Sequence, residues 1–151
     1  MSWLVAAFVL TNVSLQGAPI NNNTDKQIAA EQIRQSVIGG GGDHITQIGQ
    51  AMTGVFQGHQ GAHIPVNDFA QFFPEGCDGF YATGDNVSFP NGVYGKTCCI
   101  LVQFTYAGFL FACEFYSVED VSGGQLLAKV VLYSGGQTLW TWNNPMVFEQ
   151  E

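Results

Sequence analysis

Phe109-Leu110-Phe111-Ala112-Cys113-Glu114-Phe115-Tyr116 alternates large apolar residues with others, and Leu126-Leu127-Ala128-Lys129-Val130-Val131-Leu132-Tyr133 comes after it across the turn signal Ser122-Gly123-Gly124. A period of two marks strands with one buried face. It puts Phe109, Phe111, Cys113 and Phe115 on one side of the first strand, and Leu126, Ala128, Val130 and Leu132 on one side of the second. Glu114 and Tyr116 then share the opposite face with Lys129 and Tyr133, where a Glu114 to Lys129 cross-strand pair is expected. Working outward, further strands are expected near 79–82, 98–104 and 138–142, with turns at Pro90-Asn91-Gly92, Ala107-Gly108 and Ser134-Gly135-Gly136. The fold class is therefore mainly β, a small antiparallel β domain preceded by short N-terminal helices.

Upstream, Thr24-Asp25-Lys26-Gln27 reads as a helix start, with Thr24 as cap and Gln27 reaching back to it. That helix runs to about Ile38 and ends at Gly39 to Gly42. Asp43 caps a second helix in which Ile45, Ile48, Met52 and Val55 recur at spacings of three, four and three. Such an a/d stripe of Ile fits a trimeric coiled-coil stem; it fits equally an ordinary amphipathic helix packed on its own domain. Gly54, Gly58, Gly61, Pro65 and Pro74 break up the stretch between that helix and the first strand, which reads as a neck. At the N-terminus, Leu4 to Leu15 is rich in Val, Phe, Leu and Thr and reads as a strand-forming docking segment. No Lys or Arg precedes it, which disfavours a signal peptide, and it is too short to span a bilayer. The division expected is 1–23 docking segment, 24–56 helical stem, 57–78 neck and 79–151 β knob.

Four Lys and Arg stand against twelve Asp and Glu, a formal charge of -8, so the chain lacks the basic footprint that phosphate backbones or anionic membrane surfaces require. Neither nucleic-acid binding nor membrane insertion is expected. Cys77, Cys98, Cys99 and Cys113 have neither zinc-site spacing nor the look of a disulfide framework, and buried thiols are expected. His59 and His63 sit four apart but among glycines, so no metal is assigned to them, and no cofactor is expected. Asp78, Asp85, Glu114, Glu119 and Asp120 show no spacing that identifies the carboxylate pair of a glycan hydrolase, and there is no Gly-x-Ser-x-Gly elbow. A non-enzymatic protein is expected.

The entry Gly79-Phe80-Tyr81, the strands Ile100 to Phe104, Cys113 to Ser117 and Ala128 to Tyr133, and the exit Gly135-Gly136-Gln137-Thr138-Leu139-Trp140-Thr141-Trp142-Asn143-Asn144 together resemble the pyocin-knob-like β domain at the C-terminus of phage tail fibres. The resemblance covers rather under half of the chain. It implies a homotrimeric tail or baseplate fibre protein, assembled in the host cytoplasm and localised to the virion. Its N-terminus would join other baseplate or tail proteins, and its knob would bind a host surface glycan or protein. Trp140 and Trp142, on one face of the last strand, offer either a stacking platform or core packing, and Tyr94, Tyr116, Tyr133 and Asn91 are further contact candidates. A purely structural baseplate or neck subunit fits the same features. So does a secreted lectin-like protein, if the first eighteen residues are removed.

Overall fold

Two pairs of residues with positive φ fold the C-terminal half into hairpins: Ala107 (55°) with Gly108 (85°), and Gly135 (60°) with Gly136 (80°). Both central residues in the left-handed region make the two-residue turn whose twist matches that of the flanking strands. The computed structural model of the protein describes residues 22–58, 64–87, 97–119 and 124–148. Its helices are α1 (Asn22–Ile38), α2 (Gly41–Gly58) and α3 (Pro145–Phe148), with a 3-10 helix over Asn67–Phe72. The strands are β1 (Ile64–Pro65), β2 (Asp78–Val87), β3 (Thr97–Tyr106), β4 (Phe109–Glu119), β5 (Gln125–Ser134) and β6 (Gln137–Asn143). They form one antiparallel sheet of six strands in chain order, a meander in which each strand pairs with its sequence neighbours. The mainly β expectation with N-terminal helices is met, and the helices start and stop within a few residues of their signals.

Register explains the core. Ala82, Val102, Cys113, Leu132 and Trp140 lie in one cross-strand row, and Ile100, Phe115, Val130 and Trp142 in the next. These rows share the face that α1, α2 and the 3-10 helix cover, and those three helices and strands β2 to β6 contribute to one hydrophobic cluster. The alternation read for β4 holds, with Phe111, Cys113 and Phe115 fully buried. In β5 it fails halfway. Tyr116 pairs with Lys129 and Ser117 with Leu127, so Ala128 is an extra residue in the ladder. This bulge shifts the phase: Leu127 goes to the core while Leu126 is only half-buried. Asn144 serves the displaced backbone, its amide N–H donating to Ala128 O (2.8 Å) and its side-chain Nδ2 to Leu127 O (2.7 Å). Being buried, that side chain would leave an orphan carbonyl if shortened, a loss of about 1–3 kcal/mol.

The stripe expected as a trimer stem is spent inside the domain. Ile48 and Met52 are 0 % exposed and Val55 7 %, Ile45 is half-buried against the same cluster, and α2 packs across β5. A side chain already enclosed by its own sheet has no surface left for an intermolecular seam, so Ile48, Met52 and Val55 are core residues of one chain, while Ile45 at the margin of the stripe keeps part of its surface. Part of the expected neck, among the described residues, also enters the core. Phe69, Phe72 and Phe73 project from around the 3-10 helix into the aromatic layer, with ring centroids 5.1 Å apart for Phe69 and Phe115 and 4.6 Å for Phe73 and Phe104. Each fully buried Phe is worth about 1.5–3 kcal/mol of transfer free energy, which is why a stretch with little regular hydrogen bonding holds its place. Stem, neck and knob thus merge into one unit over the described residues.

Candidate binding face of the sheet

The sheet face turned away from the helices carries the second set of alternating residues: Gln103, Ala112, Glu114, Tyr116, Lys129, Val131, Tyr133 and Thr141. At its centre two phenols converge on one carboxylate. Tyr116 Oη donates to Glu114 Oε1 at 2.8 Å, and Tyr133 Oη donates to the same oxygen at 2.6 Å. The first pair is two residues apart on β4, where strand periodicity places both on one face; the second bridges β4 to β5. Lys129 lies over the Tyr116 ring, its Nζ 5.0 Å from the centroid. The register accounts for this arrangement, because it sets Lys129 opposite Tyr116 and Val131 opposite Glu114. The expected Glu114 to Lys129 cross-strand pair is therefore replaced by a phenol–carboxylate cluster with the ammonium stacked beside it.

Electrostatics match the geometry. The hydrogen bond to Glu114, with burial and the carboxylate's charge behind it, pushes the Tyr133 phenol up from 10.0 to about 12. Burial first, then the same carboxylate, raises Tyr116 as well. Both phenols are held as donors across the neutral range, and Glu114 Oε1 is their shared acceptor. The site is a partly exposed ledge: Glu114, Tyr116, Lys129 and Tyr133 are each half-buried, while Val131 at its centre is 4 % exposed. It offers apolar ring area, a carboxylate acceptor and an ammonium donor within one cross-strand patch.

The other sequence candidates divide. Trp140 lies half-buried on the helix-covered face, and its indole N–H donates to Ala30 O of α1 at 2.8 Å. Trp142 shares that face and packs half-buried against the core. The alternation of the two tryptophans was legible; which face the helices would cover was not. Tyr94 and Asn91 lie outside the described residues, as do His59 and His63. Tyr116 and Tyr133 are the two candidates that the structure brings together, and the residue that joins them, Glu114, was legible as an ion-pair partner and as one of several carboxylates, not as their shared acceptor.

Thiol chemistry is muted at two cysteines. Cys77 and Cys113 are free; burial, with Asp78 second, pushes Cys77 up to about 12, and burial raises Cys113 well above its ordinary value. Neither is a ready thiolate at neutral pH. Among the described residues no group of three His, Cys, Asp or Glu is placed to hold a metal, and no helix is long and apolar enough to cross a membrane. No family model, curated protein or solved structure matches the chain.

Proposed function

We propose that the chain is a non-catalytic binding protein, a tail or baseplate fibre component of a phage virion, that meets a host surface glycan through the open sheet face. The observation that carries the binding reading is the cluster in which Tyr116 and Tyr133 both donate to Glu114 beside Lys129. Ring area backed by a fixed acceptor and a cationic donor suits a polyhydroxylated ligand, whose C–H faces lie on aromatic rings while hydroxyls donate to carboxylate. Such a ledge buries little area per site, so repetition in a homotrimer would raise avidity without a tighter single site. With the α2 stripe occupied in the chain's own core, a trimer would have to form through other surfaces. The virion assignment rests on the knob-like entry and exit sequences.

An array of purified bacterial envelope polysaccharides, probed with the chain and with its Tyr133→Ala and Glu114→Ala variants, tests the site. Binding that drops at least about tenfold in both variants, the loss of roughly 1.4 kcal/mol, supports it. Binding that survives both variants places the contact elsewhere, and no binding to any polysaccharide removes the glycan reading in favour of a structural subunit. Light scattering of the same preparation reads the oligomeric state.

A further inference from the structure

We propose that the sheet face turned away from the helices selects zwitterionic saccharides, Lys129 taking the ligand's acidic group and Glu114 its ammonium. This specificity rests on the face being a glycan site, and it names which glycans the site retains. Two opposite charges lie here as neighbours without neutralising each other. The register sets Lys129 opposite Tyr116 and Glu114 opposite Val131, so the two are diagonal across β4 and β5, about 7–8 Å apart at the backbone and within the reach of long side chains. They nevertheless form no ion pair with each other, because aromatic partners hold them apart. Tyr116 and Tyr133 both donate to Glu114 Oε1, and the Lys129 ammonium lies over the Tyr116 ring.

Neither contact cancels a charge. A carboxylate has about four acceptor positions. The phenols fill two of them, both on Oε1, so Oε2 keeps its capacity for a ligand donor. An aromatic ring attracts a cation through its quadrupole and supplies no counter-charge, so Lys129 keeps both its charge and its N–H donors. Apolar neighbours strengthen the carboxylate's field: Glu114 has Leu101 of β3 on one side and Val131 of β5 on the other. In such surroundings an opposite charge gains more than it would in bulk water.

Ligands separate by charge on such a face. An acidic polysaccharide suits Lys129 but must approach a chain of net charge -8 and set an anion beside Glu114. An amino-bearing one suits Glu114 but brings a second ammonium to Lys129. A neutral sugar covers both charged groups and returns hydroxyl contacts alone, against the cost of drawing ions out of water. A zwitterion carries no net charge for the chain to repel and answers both side chains at once. Successive cross-strand rows on this face are two residues apart, about 7 Å along a strand, so the ligand's two charges belong on one sugar residue or on two linked ones. Tyr133 lies a further row along, opposite Ala112, where its ring can carry the C–H face of the adjoining sugar.

Binding of the full chain to purified bacterial polysaccharides of four classes, neutral, acidic, amino-bearing and zwitterionic, is the test. The expected result is affinity at least about tenfold higher for zwitterionic polymers, with a loss of the same size when their amino groups are N-acetylated or their acid groups amidated. Both of these measurements use the unmodified chain. Lys129→Gln should cost about tenfold on the native zwitterionic polymer and nothing further on the amidated one, a non-additivity that a merely structural role for Lys129 would not produce. Tightest binding in any other class, or binding indifferent to both modifications of the polymer, would overturn the specificity and leave the glycan site standing. Binding in no class would remove the glycan site and the specificity together. Self-association abolished by Lys129→Gln, with no polysaccharide bound, would assign the face to contact between copies and would equally overturn the proposal.

Discussion

Glu114 accepts from two phenols at a single oxygen, and this sharing makes the cluster sensitive to alkali. Tyr133 titrates at about 12 in the folded chain against 10.0 for an unperturbed phenol, and Tyr116 is raised too. A folded-state pKa above the unfolded one means that folding favours the protonated phenol. The stability it contributes is fully present below pH 10 and is lost as the pH rises through about 12. Tyrosinate absorbance should therefore rise late for these two side chains, with urea midpoints falling over the same range. Glu114→Gln keeps an acceptor oxygen but removes the charge, so their titration should move back toward 10.0. An alkaline limb identical in both proteins would mean that the carboxylate does not hold the phenols.

Within α2, two glycines a turn or so apart invite opposite outcomes. A Cβ on Gly49 would strike the backbone carbonyl oxygen of Gln125, whereas one on Gly54 meets nothing. Alanine in a helix interior gains about 0.8–1.0 kcal/mol over glycine. Gly54→Ala should thus stabilise the protein by nearly that amount. Gly49→Ala must push α2 off β5, and overpacking of about 1–3 kcal/mol outweighs the propensity gain, so its urea midpoint should fall. A Gly49→Ala variant as stable as its parent would mean that α2 is not seated so closely. This contact also marks where sequence reading stopped. The apolar stripe of α2 and the alternation of β4 were plain because each is a local period. Whether Ile48 and Met52 met a second chain or their own sheet depended on a close approach at Gly49 that no local pattern encodes. The Ala128 bulge was hidden for the same reason: Leu126-Leu127-Ala128 is apolar on either phase, and only the distant Asn144 reveals which residue is extra.

At the scale of the whole chain, the shared core sets how it comes apart. Ala29, Ile33 and Val37 of α1, Met52 of α2 and Phe69 and Phe72 of the 3-10 helix belong to the same buried cluster as Phe104, Phe115 and Leu132 of the sheet. Neither layer can be exposed without exposing the other, so helix and sheet should unfold together. Far-ultraviolet ellipticity, which weights the helices, and tryptophan fluorescence, to which Trp140 contributes from its seat between α1 and β6, should give coincident transitions. Met52→Ala, truncating a fully buried side chain, should lower both midpoints together by about 2–5 kcal/mol of stability. If the α2 stripe were instead a seam between copies, ellipticity would fall first, and at a temperature that climbs with protein concentration, because mass action stabilises only an associated state. A midpoint independent of concentration in both probes, displaced equally by Met52→Ala, is the outcome that a single-chain core requires.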